Sequence, residues 1–191
     1  MRTARITTLV CVAAAIVFAT SAAASADEIL KARARIVSCV DGSFVGTAHL
    51  FEQPSSEGVK VVDVFLSVEK GLDPGKHGVH IHEVGTCTPC SAAGSHLDLG
   101  PFPNNSPVTA NHPYHSGDLV NVRVGRDGEG RLATATSRIA LSAGNLSILD
   151  EDGSAIVIHL LPDTYCADPN DPNCAGGGRA ACGVIKRERH R

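Results

Sequence analysis

A β-strand pattern is clearest in the run Lys76-His77-Gly78-Val79-His80-Ile81-His82-Glu83. Side chains two apart on a strand point to the same face, roughly 6.5–7 Å apart along it. His80 and His82 can therefore bind one metal ion from a rigid element. Imidazole suits copper and zinc, and the later pair His115 and Asp118 adds a hard oxygen of the kind that zinc accepts. The pattern predicts a site for two metal ions.

Eight segments alternate in this way or are rich in β-branched residues, with Asp-Gly or Pro-Gly pairs between several of them. They are 32–40, 45–51, 59–68, 77–83, 119–124, 131–141, 155–160 and 181–186. Short strands at this spacing, without a convincing amphipathic helix, predict an all-β antiparallel barrel or sandwich. Two connections, 85–117 and 161–180, are long enough to be functional or disordered. The first holds most of the candidate ligands, so we expect metal and disulfides to order it.

Residues 1–26 have the features of a cleaved secretory signal peptide. Two arginines near the start precede an apolar run over 8–18, and Ala24-Ser25-Ala26 matches an A-x-A cleavage signal. The alternative is an uncleaved membrane anchor, but the apolar run is short for a bilayer. We expect 27–191 to be a single domain outside the cytoplasm, secreted or periplasmic.

The charge of the chain bears on its partners. Of 191 residues, 17 are basic and 20 acidic. Without Arg2 and Arg5 the basic residues number 15, which gives a formal charge of −5. An acidic domain disfavours nucleic acid as a partner. No later window is apolar enough for a stable membrane anchor.

Six cysteines follow the expected cleavage site. They are Cys39, Cys87, Cys90, Cys166, Cys174 and Cys182. An even number in an exported chain favours disulfides, although six cysteines permit 15 pairings. The spacing of Cys87 and Cys90 also matches a C-x-x-C redox motif, but no βαβ pattern surrounds it. Structural disulfides are therefore the expectation.

Taken together, the motifs of this chain resemble those of the copper/zinc superoxide dismutases, particularly their exported bacterial branch. The motifs are His77-Gly78-Val79-His80-Ile81-His82-Glu83, Ala93-Gly94-Ser95-His96, His115-Ser116-Gly117-Asp118-Leu119, Ile156-Val157-Ile158-His159 and Gly178-Arg179-Ala180-Ala181-Cys182-Gly183-Val184-Ile185. They occur in the family's order over nearly the whole expected mature chain. One H-x-H motif would be weak evidence, whereas this ordered set is strong.

The resemblance implies a fold and an activity. The fold would be an eight-stranded antiparallel Greek-key β-barrel with two long functional loops, a metal-binding loop and an electrostatic-type loop. The activity would be dismutation of superoxide to dioxygen and hydrogen peroxide by redox cycling of a copper ion, bridged through His96 to a structural zinc ion. The protein would then serve antioxidant defence outside the cytoplasm, as a monomer or homodimer, with the superoxide anion as substrate.

The resemblance also implies ligands for each metal. Copper would be bound by four histidines, namely His80, His82, His96 and His159, and zinc by His96, His115 and Asp118. The family's other zinc histidine usually lies well upstream of His115, where this chain reads Asn104-Asn105-Ser106-Pro107-Val108. We assign His112 as the fourth zinc ligand. Otherwise His112 is a loop histidine and the protein is a copper-only dismutase.

Two further residues match family positions close to the metals. Arg179, three residues before Cys182, would attract superoxide and orient it, and the alternative is an ordinary loop arginine. Asp163, four residues after His159, would link ligands of both metals, and the alternative is a turn aspartate after Pro162. A non-catalytic copper- or zinc-binding module is a separate possibility. Such a module would not need a substrate-guiding arginine.

The family disulfide tethers the metal loop to the strand that carries Cys182. By resemblance its partner is Cys87, with Cys90 as the competing candidate. Cys166 and Cys174 share the second long loop and are expected to pair, which leaves Cys39 for the remaining cysteine.

Three histidines are not assigned to metal. We expect His49 to face solvent, His77 to be structural, and His190 to belong to a frayed basic tail, for which an anionic surface is the alternative ligand.

Overall fold

The computed structural model describes residues 29–53, 58–100, 112–168 and 170–188. The expected signal peptide 1–26, the stretch 104–108 and His190 lie outside the described residues. The strands are β1 (Leu30–Ser38), β2 (Phe44–Gln53), β3 (Val61–Val68), β4 (Gly75–His77), β5 (Val79–His82), β6 (Val122–Val124), β7 (Gly130–Thr136), β8 (Ala155–His159), β9 (Arg179–Val184) and β10 (Lys186–Arg187). One short 3-10 helix, η1, spans Cys90–Ala93. Within the described ranges, no helix has the length and apolar character needed to cross a membrane.

The strands form one antiparallel sheet that nearly closes into a barrel. Its order is β4-β6-β7-β3-β2-β1-β9-β8-β5, with β10 paired to β1. The two end strands, β4 and β5, are separated in sequence by Gly78 alone, so one bent segment occupies both edges of the sheet. β3 pairs with β7 and β1 with β9, which are crossed connections of the Greek-key kind. The expected all-β antiparallel fold is confirmed.

Two of the eight expected strands are each divided in the structure. The segment 77–83 corresponds to β4 and β5, which bend apart at Gly78 to reach different partner strands. A side chain is not tolerated easily at this bend, because a Cβ atom on Gly78 would lie 3.2 Å from the Cβ of Asp163. The segment 181–186 is divided at Ile185, whose N–H donates to the carbonyl of Ser154.

The expected strand 131–141 is too long. β7 ends at Thr136, although Ile139 and Leu141 beyond it are fully buried. Leu141 gives its N–H to the carboxylate of Glu52 rather than to a neighbouring strand. The apolar alternation over these residues therefore reflects burial in the core and not strand pairing.

The core follows from the alternation along each strand. On β1, Ala32, Ala34 and Ile36 are buried, while Arg33 and Arg35 face outward. Burying each branched aliphatic side chain contributes about 1.5–3 kcal/mol, so the barrel wall is a stable support. The two long loops follow β5 and β8, which are paired strands of this support.

Two of the unassigned histidines lie within the described residues. The ring nitrogens of His77 lie 2.8 Å from the carbonyl oxygen of His159 and 2.9 Å from that of Asp73. The buried ring thus joins the start of β4 to the end of β8. His49 lies on β2, with 46% of its side chain exposed and Nδ1 3.9 Å from the carboxylate of Glu188.

Candidate metal centre

Four histidines converge where β5 and β8 lie side by side. His80 and His82 come from β5, and His159 is the last residue of β8. His96 lies in the loop after η1, and its main chain forms an isolated antiparallel β-bridge with that of His82. All four are buried, and one ligand atom of each lies within 4.8 Å of the others. Three of the four therefore come from two hydrogen-bonded strands, which fixes their spacing before any metal binds.

Hydrogen bonds fix which nitrogen of each ring points inward. Nδ1 of His82 lies 3.0 Å from the Gly94 carbonyl, and Nδ1 of His159 lies 3.0 Å from the Gly177 carbonyl. Their Nε2 atoms are 3.4 Å apart at the centre. His80 is reversed, because its Nε2 lies against a carboxylate while its buried Nδ1 has no hydrogen-bond partner among the described residues. A buried nitrogen without a partner needs an explanation, and a metal ion would supply one.

A second group of ligand atoms surrounds the carboxylate of Asp118. Nδ1 of His96 lies 2.7 Å from Oδ1 of Asp118, and Nδ1 of His112 and of His115 each lie 3.0 Å from Oδ2. His80, His96, His112 and Asp118 form the compact set that could hold an ion, and His115 lies beside it. His80 and His96 thus belong to both groups, and of these two it is His96 that faces Asp118, through Nδ1.

Asp163 connects the two groups. Its Oδ2 lies 2.8 Å from Nε2 of His80, and its Oδ1 lies 2.9 Å from Nε2 of His112. Asn121 holds the main chain of Asp163 with two hydrogen bonds, of 2.8 and 2.9 Å. A buried carboxylate held in this way fixes the orientation of both rings.

Burial keeps the histidines of the first group neutral. It lowers the pKa of His80 to about 3 and that of His159 to about 4, and it lowers the pKa of His82 well below its usual value. The pKa of His96 is also lowered by burial. Neutral imidazole is the form that donates its lone pair to a metal, so these residues can bind one near pH 7.

The second group has the opposite electrostatic character. Burial alone would lower the pKa of His112, but the carboxylates of Asp118 and Asp163 outweigh it and raise that pKa to about 9. Burial opposes ionisation of both carboxyl groups, yet their hydrogen bonds with histidine keep each pKa well below its usual range. Two ionised carboxylates among histidines suit a divalent cation.

A small cavity of about 160 Å³ opens onto the first group. Arg179, the first residue of β9, lines this cavity together with His82, His96 and His159. Its guanidinium donates hydrogen bonds to the carbonyls of Cys90 and Gly94, which fixes its position at the entrance. Burial lowers the pKa of Arg179, though an arginine remains charged at physiological pH. The cavity therefore offers a positive group beside the four histidines.

Among the described cysteines, three disulfides hold the loops of the site. Cys87 is bonded to Cys182, the partner that the resemblance favoured over Cys90. Cys90 is bonded to Cys39, so the two cysteines of the C-x-x-C motif belong to different disulfides. Cys166 is bonded to Cys174 within the second long loop. The segment that carries η1 is thereby attached to both β1 and β9.

Two residues near the site were not identified from the sequence. Asn121 supports Asp163, and Arg138 donates hydrogen bonds to carbonyls of the segment that contains His115. An asparagine and an arginine in connecting segments carry no local signal of such a role. Their partners lie 42 and 20–25 residues away in the sequence, so only the folded chain brings them together.

Comparison with known proteins identifies the family. The family model for copper/zinc superoxide dismutase matches residues 44–185. A copper/zinc superoxide dismutase of Deinococcus radiodurans is 38% identical over 157 residues, covering 76% of this chain and 79% of that protein. One from Caulobacter vibrioides is 34% identical over 156 residues, covering 79% of this chain and 83% of that protein.

Solved structures agree with these relatives. The crystal structure of a double mutant of a superoxide dismutase-like protein from Bacillus subtilis is 33% identical, with a TM-score of 0.62. The match covers 80% of this chain and 95% of that one. The family model matches most of the chain, and the fold and the buried groups of histidines agree with that match. The chain therefore belongs to the copper/zinc superoxide dismutase family.

Proposed function

We propose that this protein dismutates superoxide to dioxygen and hydrogen peroxide, using copper and zinc. The observation that carries the proposal is the position of His96, which belongs to the group of four histidines while its Nδ1 lies 2.7 Å from the carboxylate of Asp118 in the second group. One imidazole between two such groups is suited to bridging two metal ions. The names of the relatives support the same activity.

The residues present fit both metals. Copper would be held by His80, His82, His96 and His159, and the partnerless Nδ1 of His80 fits this role. Zinc would be held by a set of three histidines and one carboxylate, namely His96, His112, His115 and Asp118. When bound, copper would supply a one-electron redox couple, and zinc would supply a positive charge without redox chemistry.

The chain itself would bind the substrate, hold the rings and move a proton. Arg179 would attract superoxide into the cavity and orient it by hydrogen bonds. His96 would carry a proton on Nε2 to the peroxide product, because its Nδ1 is directed at Asp118. Asp163 would fix the orientations of the His80 and His112 rings through its contacts with their Nε2 atoms.

The setting of the proposed enzyme lies outside the cytoplasm, secreted or periplasmic. Three disulfides support an oxidising compartment, and residues 1–26 have the character of a signal peptide. We propose a domain comprising 27–191 that works as a monomer or homodimer, without nucleic acid and without a stable membrane anchor.

Superoxide consumption, measured after loading the purified protein with copper alone, zinc alone or both, tests the proposal. Rapid turnover that requires copper and improves with zinc is expected. Turnover indifferent to zinc would instead indicate a copper-only dismutase. Binding of stoichiometric copper without turnover would indicate a non-catalytic metal-binding module. The variant His159→Ala removes one of the four histidines, so a loss of bound copper in it shows that copper occupies the proposed group.

A further inference from the structure

Arg138 reaches from the barrel wall to the segment that contains the second group of ligands. It follows β7, and its own N–H donates to Oγ1 of Thr136 at 3.2 Å. The next residue, Ile139, is fully buried in the core, so the base of the arginine is fixed. The guanidinium donates to the carbonyl oxygens of Pro113, at 3.4 Å, and of Asp118.

These two carbonyls lie near opposite ends of one short segment. Pro113 directly follows His112, and Asp118 closes the segment 112–118, with His115 between them. A single planar side chain therefore spans the part of the chain that supplies three of the four proposed zinc ligands. A guanidinium offers five donors in a fixed fork and stays charged, which suits it to holding two acceptors at once.

His112 is held through its side chain, by Asp163 and Asp118, whereas the main-chain bonds from the described part of this segment to the barrel lie in its second half. Gly117 is fixed from both sides, because its N–H donates to the Leu97 carbonyl and its carbonyl accepts from the N–H of Ile81, both at 2.8 Å. The neighbour of Pro113, Tyr114, is 75% exposed. The bond from Arg138 to Pro113 therefore supports the half of the segment that carries His112.

Within the described ranges, no ion pair competes for the guanidinium of Arg138. Among the described residues, no carboxylate lies within 4.0 Å of the Arg138 side-chain nitrogens. The carbonyls of the ligand segment are thus the partners that its charge-assisted hydrogen bonds can use. Such bonds are stronger than those between neutral groups.

We propose that Arg138 is a positioning residue for the second metal site. It holds 112–118 against the barrel so that the nitrogens of His112 and His115 stay converged on Asp118 before zinc arrives. This inference rests on the proposed zinc assignment. In the four-histidine group, His82 and His159 are held separately, by the carbonyls of Gly94 and Gly177, so we expect Arg138 to matter less for copper than for zinc.

Metal affinity in the full protein tests the role. Zinc affinity and copper affinity are measured by chelator competition for the unmodified protein, Arg138→Ala, Arg138→Lys and the matched control Arg131→Ala. Arg131 is an exposed arginine on β7, so its loss removes the same charge without touching the ligand segment. We expect Arg138→Ala to lower zinc affinity about 10–100-fold, the usual cost of losing a group that orients a ligand. Copper affinity should change less than about threefold, and Arg138→Lys should restore part of the zinc affinity.

Amide hydrogen exchange in the metal-free protein gives a readout that does not depend on zinc. Arg138→Ala should speed exchange across 112–118 and leave β5 and β8 unchanged. Equal zinc affinity in Arg138→Ala and Arg131→Ala would overturn the inference, as would equal losses of zinc and copper or unchanged exchange. Failure of the unmodified protein to bind zinc would overturn the zinc assignment and this inference together. If the unmodified protein binds zinc and Arg138→Ala binds it equally well, only this inference is overturned.

Discussion

Nε2 of His112 lies 2.9 Å from Oδ1 of Asp163, and this buried contact joins the two long loops. His112 belongs to the loop between β5 and β6, whereas Asp163 belongs to the loop between β8 and β9. Because Asp163 also lies 2.8 Å from Nε2 of His80, this one carboxylate contacts a ligand of each proposed metal.

Replacing His112 by alanine should weaken zinc binding without weakening copper binding. Its Nδ1 faces Asp118, and it is not part of the four-histidine group. Zinc affinity should fall more than about 100-fold, because losing even a supporting group costs 10–100-fold. Chelator competition measures both affinities, with the exposed His49→Ala as control. Unchanged zinc affinity would mean that His112 is a loop histidine.

Replacing Asp163 by asparagine should affect both metals, in contrast to the His112 variant. The amide keeps the size of the side chain but removes the charge that holds His80 and His112. We expect a loss of about 10–100-fold in zinc affinity and a measurable loss in copper affinity. Asp168→Asn, on the exposed part of the same loop, is the matched control. An effect on zinc alone would show that Asp163 does not orient His80.

Replacing Arg179 by alanine should slow superoxide consumption and flatten its dependence on ionic strength. At low salt the rate should fall about tenfold, the lower end of what a charged cleft contributes to association. Rates measured over a series of salt concentrations separate this effect from a general loss of activity, with Arg179→Lys retaining the charge. The same steep salt dependence in Arg179→Ala would exclude a steering role.

The metal-free protein should lose stability as the pH falls from about 6.5 towards 4. Unfolded His80 and His159 bind protons near 6.5, whereas burial holds their folded pKa at about 3 and about 4. The unfolded state binds more protons in this window, so each group lowers the free energy of unfolding by up to about 1.4 kcal/mol per pH unit. His112 has a raised pKa and is protonated in both states below 6.5, so it does not offset the loss.

Urea unfolding of the metal-free protein at pH 7.5, 5.5 and 4.5 measures this effect. Protein loaded with metal should show a smaller loss over the same range, since bound metal excludes protons from the nitrogens. A free energy of unfolding that stays constant or rises on acidification of the metal-free protein would contradict the expectation.

Much of the barrel could be predicted from local sequence. Apolar and polar side chains alternate along β1 and β3, and this local pattern predicts both strands. The same kind of pattern around His80 and His82 predicts that both lie on one face. Prediction failed where burial and strand pairing diverge, as at Ile139 and Leu141. The main-chain N–H of Leu141 donates to Glu52, 89 residues away, and no local pattern reports such a partner.

The sequence by itself determined the strand-forming segments, the types of candidate ligand and the six cysteines that follow the expected cleavage site, because these depend on composition and on spacing along the chain. The tertiary structure alone decided which ring nitrogen points inward, that Cys182 pairs with Cys87 and not with Cys90, and that Asn121 and Arg138 support the site. It also placed His112 between Asp118 and Asp163. The physical reason is that hydrogen bonds act over about 3 Å in space, whereas these partners are far apart in the sequence until the barrel closes.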